Sequence, residues 1–499
     1  MKLTIPKERP SKATKLLLSV LFGILFLVGV SLITVCAWYR IVYDLEFKEL
    51  LYTLVSPLKG TGQSTVALIL LSCLPIVLIF AILYVIATVK LWRGGIKKRR
   101  LRRVGAAFCA FLLAFSMIFS VFVLRIPAYL RSLSEVTTIY EEYYADPDEV
   151  LIGTTGKPKN LIYIYLESME VTYASHADGG AQHSNFMPNL TALAHEHISF
   201  SDKEGLLGGF HSPNGTGWTM AAMLATTAGI PFSFPVGKNG HNSMVNRQNF
   251  ATGLTTLGDI LAERGYRQEF LCGSDADFGG RRTYLEQHGN YEIFDLFTAR
   301  EKGYIADDYK FWWGYEDEIL YRIAKDELLK LAAGDEPFNF TMLTADAHHV
   351  DGYVCNRCSY RWGNRLANVI TCTDAQISEF VEWCMEQDFF EDTVIVITGD
   401  HPRMDTTLVS DTDFDDRTVY NCFINAAVAP IGGTEGRVST AMDLFPTTLA
   451  AMGFTIEGDR LGLGVNLFSA TPTLAEQLGY ACFEAEISKY SPYYVKKFS

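Results

Sequence analysis

Three apolar runs constrain this chain more than anything else in it, because residues 16–39, 60–89 and 104–124 contain no Asp, Glu, Lys or Arg at all. About 20 apolar residues in a helix cross the ~30 Å hydrocarbon core of a bilayer, so each run is long enough to span. A cleaved leader would explain the first run alone, whereas three in succession predict a multi-pass membrane domain. Lys2, Lys7, Arg9, Lys12 and Lys15 precede the first run. Lys90, Arg93, Lys97, Lys98, Arg99, Arg100, Arg102 and Arg103 crowd the loop between the second and third. The loop between the first two balances Arg40, Lys48 and Lys59 against Asp44, Glu46 and Glu49. The positive-inside rule then puts the amino terminus in the cytoplasm and everything after Arg125 outside the cell membrane.

Charge separates the two parts. Residues 1–125 hold 17 of the chain's 43 basic residues and 4 of its 56 acidic ones, which leaves 26 basic and 52 acidic residues beyond Arg125. So acidic an outer part excludes nucleic acid as a partner and favours cations. The basic clusters abut the spans and serve as topology signals and headgroup contacts. The expected organisation is a membrane domain over 1–125, a juxtamembrane helix and linker over 126–158, and an exported domain over 159–499.

Within the outer part, Asn160-Leu-Ile-Tyr-Ile-Tyr-Leu166, Phe338-Asn-Phe-Thr-Met-Leu-Thr344 and Thr393-Val-Ile-Val-Ile-Thr398 read as strands buried on both faces. Segments with helical spacing, such as 257–264 and 374–385, lie between them, which predicts an α/β sandwich. Ligands of open α/β sheets bind at the carboxyl ends of the strands. Chemistry-bearing residues follow each strand here: Glu167 after the first, His348 and His349 after the second, Asp400 and His401 after the third. Between the first two strands a glycine-rich loop from Gly208 runs into the small-residue stretch Thr219-Met-Ala-Ala-Met-Leu224. The free amides of a helix's first turn favour an anion, and Gly215 and Gly217 permit close approach of a phosphate. Carboxylates, an imidazole and a hydroxyl suit a divalent cation, and a threonine so bound is a nucleophile.

At these residues the sequence resembles the alkaline phosphatase superfamily, and within it the membrane-anchored phosphoglycerol transferases that modify periplasmic glucans, with lipoteichoic acid synthases as near relatives. The resemblance is carried by Tyr163-Ile-Tyr-Leu-Glu-Ser-Met-Glu170, Gly215-Thr-Gly-Trp-Thr-Met-Ala-Ala-Met223, Thr344-Ala-Asp-Ala-His-His-Val-Asp-Gly352 and Ile397-Thr-Gly-Asp-His401, over roughly residues 155–470. It implies an alkaline-phosphatase-like α/β sandwich behind transmembrane helices. It also implies a cation site of Glu167, Thr219, Asp400 and His401, with Mn2+ expected and Mg2+ or Zn2+ compatible. Thr219 would be the nucleophile, with Thr216 as its rival, and His348 and Arg281 would contact the substrate phosphate. Phosphatidylglycerol is the implied donor and a glycan the implied acceptor. Phosphoethanolamine transfer, a lipoteichoic acid synthase-like polymerase and an inactive glycan-binding relative are the alternatives. Sulfatases of this fold use a modified cysteine in a Cys-x-Pro-x-Arg setting, which no cysteine here has. Cys355-Asn-Arg-Cys358 looks like half of a zinc knuckle with no second Cys-x-x-Cys. The positions of Cys355 or Cys358 and of Cys372 lie nearest those in the glucan-modifying relatives and imply a disulfide between them.

Overall fold

The computed structural model describes residues 12–42, 47, 50–51, 63–92, 99–233, 249–309, 311–405, 407–410, 412–413 and 416–498. Lys2, Lys7, Arg9, Asp44, Glu46, Lys48, Glu49, Lys59, Arg93, Lys97 and Lys98 lie outside the described residues. The chain forms two compact units, residues 1–47 with 63–130 and residues 48–62 with 131–499.

The apolar runs of the first unit become helices α1 (Lys12–Val42), α2 (Gln63–Trp92) and α3 (Arg99–Val123), each long and apolar enough to cross a membrane. Leu16, Leu71, Ile82 and Phe111 are exposed along them, as lipid-facing positions would be. Small residues let α1 approach both neighbours: a Cβ added at Gly23 would come within 2.8 Å of Tyr84 in α2, and one at Gly29 within 3.3 Å of Leu112 in α3. The Tyr84 hydroxyl of α2 donates to the Ser19 carbonyl of α1 at 2.7 Å.

The second unit is built on a six-stranded sheet. Its strands are β1 (Asn160–Leu166), β2 (Arg267–Cys272), β3 (Glu292–Phe294), β4 (Phe338–Leu343), β5 (Thr393–Gly399) and β6 (Asn421–Ile424), in the order β3-β2-β4-β1-β5-β6. All neighbours are parallel except β6, which runs antiparallel to β5. Alternation along β1 divides two cores. Leu161, Tyr163 and Tyr165 enter one with Met220, Met223 and Leu224, while Ile162, Ile164 and Leu166 enter the other with Leu190, Leu320 and Ile370. The run is continuously apolar because both faces are covered, which makes this the expected α/β sandwich.

Helices α4 (Pro188–Glu196), α5 (Thr219–Ala228), α6 (Arg281–Gln287), α7 (Asp317–Ala332) and α8 (Arg365–Met385) accompany the sheet. The expected strands match β1, β4 and β5 to within a residue. Helix α8 begins nine residues before its anticipated start, because the Asn364 side chain caps it by accepting from the Ala367 amide. Its β-branched stretch Val369-Ile-Thr371 does not advertise a helix, but Val369 and Ile370 are buried there and tertiary packing prevails.

Candidate active site

Parallel pairing of β1 and β5 in the register Leu166↔Gly399 sets the next residues of both strands side by side, so Glu167 and Asp400 meet where the sheet ends. Gly399 is required for this approach, since a Cβ there would lie 2.0 Å from the Met169 carbonyl oxygen. The turn after β1 is held by Ser168, which adopts φ 52°. Its amide donates to Asp400 Oδ1 at 2.7 Å and its hydroxyl to Glu167 Oε1 at 2.6 Å. The His401 amide donates to the same Asp400 Oδ1 at 2.8 Å.

Glu167, Asp400 and His401 are buried, and one ligand atom from each lies within 4.8 Å of the other two. His401 Nε2 stands 3.3 Å from Asp400 Oδ2 and 3.9 Å from Glu167 Oε1. His401 Nδ1 is 2.8 Å from the Pro402 carbonyl, to which it donates, so Nε2 is the nitrogen turned toward the carboxylates. Asp400 Oδ2 is buried and accepts no hydrogen bond among the described residues. Burial and then the neighbouring Asp400 push the Glu167 carboxyl up to about 8. Burial works against a charge on His401, but Asp400 and Glu167 outweigh it and raise its pKa. Two crowded carboxylates, an unsatisfied oxygen and an inward imidazole nitrogen fit a divalent cation, whose charge offsets their repulsion.

The glycine-rich loop is anchored beside this corner. Phe210–His211 pairs antiparallel with Thr418–Val419, and the Gly399 amide donates to the Tyr420 carbonyl. Gly215 has φ 89°, which a side chain would oppose, and the loop delivers Thr219 as the first residue of α5. No side chain caps this helix; Trp218 occupies the cap position in extended conformation. Thr219 is half-buried, and its hydroxyl has no hydrogen-bond partner among the described residues. Thr216 differs: it is fully buried, donates to the Pro213 carbonyl at 2.7 Å and bonds the Ser212 hydroxyl at 2.8 Å.

Arg281 and His348 stand on a shared aromatic wall. The Arg281 guanidinium lies over Phe278 at 5.7 Å, the Phe278 ring is 5.2 Å from Trp313, and Trp313 is 4.4 Å from His348. Arg281 donates from Nε to the Phe278 carbonyl and from Nη2 to Ser274 and to the Asp275 carbonyl, which leaves Nη1 unbonded among the described residues. The turn that carries it rests on the start of α5, for a Cβ on Gly279 would be 3.8 Å from Met220. Burial, with help from positive His401, Arg403 and Arg281, lowers His348 to about 3. Its Nδ1 donates to the His349 carbonyl at 2.8 Å, so the neutral ring keeps Nε2 free.

Several positioning residues escape a reading of the sequence. Asp317, at the start of α7, accepts from the Ala345 and Asp346 amides and pins the turn before His348. Arg403 donates to Asp405 and to the Ala347 carbonyl, tying the His401 turn to the His348 loop. Its amide donates to Glu170, which also receives both Nε and Nη2 of Arg417. An Arg-x-Asp one residue after the Asp-His motif, in Asp400-His-Pro-Arg-Met-Asp405, is the one sequence signal for this clamp. Arg417→Met leaves Glu170 buried without its counter-charge and lowers stability by about 3–5 kcal/mol, read by chemical denaturation.

Cys355, Cys358 and Cys372 are free thiols. Their sulfurs approach to 3.6 Å (355 to 358) and 3.7 Å (355 to 372), against about 2.05 Å for a disulfide bond. The implied disulfide is therefore not formed: all three thiols meet at one point, in contact and unbonded.

A relative from Xanthomonas campestris pv. campestris, phosphoglycerol transferase I, is 29% identical over 432 residues, covering 81% of this chain and 56% of its own length. A phosphoglycerol transferase I from Salmonella choleraesuis is 33% identical over 338 residues, covering 66% of this chain and 41% of its own. The chain thus spans about half the length of the curated relatives it matches. Among solved structures, the lipoteichoic acid synthase LtaP from Listeria monocytogenes superposes with a TM-score of 0.50 at 17% identity, over 63% of this chain and 77% of that one, and shares the fold. The sulfatase family profile matches residues 159–454, which include β1, the Thr219 loop, the His348 turn and the Asp400-His401 pair, and the chain belongs to that family.

Proposed function

We propose that this chain is a membrane-anchored, cation-dependent phosphoglycerol transferase that takes the headgroup of phosphatidylglycerol and delivers it to a glycan hydroxyl outside the cell. The observation that carries this reading is the cluster of Glu167, Asp400 and His401 at adjoining strand ends, with a Thr219 hydroxyl, unbonded among the described residues, opening an uncapped helix in the same motif set. Glu167, Asp400, His401 and Thr219 would hold the cation, which when bound favours loss of the Thr219 proton. The Thr219 oxygen attacks phosphorus, the bond from phosphorus to the diacylglycerol oxygen breaks, and diacylglycerol leaves with a proton. The N-H groups of the first turn of α5 face the developing charge, and Arg281 offers Nη1 to a phosphate oxygen. His348, held by its Nδ1 bond, presents Nε2 to the phosphate. An acceptor hydroxyl then attacks the same phosphorus and frees Thr219.

The curated relatives support glycerol as the headgroup, and the cation fits Mn2+. Purified protein incubated with phosphatidylglycerol should release diacylglycerol. Chelation should stop release and Mn2+ restore it; release undiminished by chelation would remove the cation from the scheme. The basic flanks of the spans support a cytoplasmic amino terminus. Protease added to sealed, right-side-out vesicles should therefore digest the domain beyond Arg125, whereas full protection would reverse the orientation.

A further inference from the structure

The thiol cluster lies outside the site described above and has its own chemistry. Cys355 and Cys358 sit on the loop that follows β4 and His348, while Cys372 is on α8. Cys355 and Cys372 are buried and Cys358 is half-buried, so the cluster opens to the surface on one side. One sulfur atom from each residue lies within 4.8 Å of the other two. Zinc-thiolate bonds of about 2.3 Å in tetrahedral array set neighbouring sulfurs about 3.8 Å apart, close to the separations of 3.6 and 3.7 Å here.

A side-chain donor faces the sulfurs. Gln376, one turn beyond Cys372, aims Nε2 at the cluster, 3.3 Å from the Cys372 sulfur and 3.9 Å from that of Cys355. Such amide donors hydrogen-bond metal-bound thiolates and orient them. Both carboxylate oxygens of Asp346, within electrostatic reach of Cys355, are buried with no hydrogen-bond partner among the described residues.

Asp317 and Arg403 hold this loop at Ala345, Asp346 and Ala347, on the His348 side of Cys355. From Ala345 to Trp362 it contains no strand or helix, and its internal bonds cluster near His348: His348 amide to Ala345 carbonyl, His348 Nδ1 to His349 carbonyl, Gly352 amide to His348 carbonyl and Tyr353 amide to Asp346 carbonyl, with the Cys358 amide to the Cys355 carbonyl beyond them. Arg365 at the start of α8 donates to the Gly352 carbonyl.

We propose that Cys355, Cys358 and Cys372 form a second metal site, which binds a thiophilic divalent cation of the zinc type and fastens the His348 loop to α8. Binding releases the thiol protons to solvent, and the metal is a structural tie with its fourth position open on the Cys358 side. The proposal is independent of the catalytic reading, because the two sites share no ligand.

Metal analysis of full-length protein, purified in detergent without reductant or chelator, tests it. An Asp400→Asn background removes the first cation site from the count. In that background zinc should remain at about one equivalent per chain and fall to background in Cys358→Ser and in Cys372→Ser. Cadmium titration of the Asp400→Asn chain should give sulfur-to-cadmium charge-transfer absorption that is absent once Cys372 is replaced. Should the cysteine variants fail to accumulate, the cadmium band of the Asp400→Asn chain decides alone, and its absence overturns the proposal. A disulfide between any two of the three cysteines in unreduced peptide maps overturns it as well, as does zinc content unchanged by the cysteine substitutions.

Discussion

Asp400→Asn should cost on the order of 10³-fold or more in diacylglycerol release while leaving the fold intact. Asn keeps the shape of the side chain and can retain, through its carbonyl oxygen, the Oδ1 bonds from the Ser168 and His401 amides. It removes the charge and puts an amide nitrogen, which cannot ligate, at the position of the unsatisfied Oδ2. Glu167 then loses the like charge that helps to raise its pKa, so the apo protein should be no less stable than wild type. The expected signature is therefore unchanged thermal unfolding without metal, loss of the stabilisation Mn2+ gives the wild type, and loss of turnover. Retained turnover in Asp400→Asn would mean that the corner between β1 and β5 is not the reaction centre.

Replacing Thr219 should be as severe and for a different reason. Thr219→Ala removes one half-buried hydroxyl with no hydrogen-bond partner among the described residues, at the first position of a helix where alanine is well tolerated. Folding should be nearly unaffected, with turnover reduced by a factor on the order of 10³ or more because the attacking atom is gone. Thr216→Ala should show the reverse. It strips two buried hydrogen bonds, to Ser212 and Pro213, and costs about 1–3 kcal/mol while leaving the chemistry in place. Release of diacylglycerol by Thr219→Ala but not by Thr216→Ala would transfer the nucleophile to Thr216.

Much of this site is legible in the sequence because it depends on local pattern. The β1 run is apolar at every position from Leu161 to Leu166, short and rich in β-branched and aromatic residues, which suits a strand covered on both faces, and Glu167 is then at a strand end by count alone. The same holds for β5 and Asp400. What the pattern does not carry is partnership across the chain. Glu170 pairs with Arg417 at a separation of 247 residues, and nothing near either residue announces the other. Trp313 reads as one aromatic among many, yet it packs between Phe278 and His348 with its ring tilted to both. Ser168 looks like a spacer, but its positive φ and two hydrogen bonds orient both carboxylates of the corner. Thr219 invites reading as a helix cap, whereas Trp218 holds the cap position and leaves the threonine hydroxyl unbonded within the described residues. The half knuckle of Cys355 and Cys358 lacks a partner in the sequence only because Cys372 arrives from a helix, not from a second Cys-x-x-Cys.

The mass of a covalent adduct tests the central claim most directly. Wild-type protein incubated with Mn2+ and phosphatidylglycerol, without acceptor, should accumulate the intermediate, and fragmentation should place a glycerol phosphate group on Thr219. The adduct should disappear when a glycan acceptor is added. An ethanolamine phosphate adduct formed from phosphatidylethanolamine in preference would change the donor. An unmodified Thr219, or a glycerol phosphate group on any other residue while diacylglycerol is being released, would contradict the account.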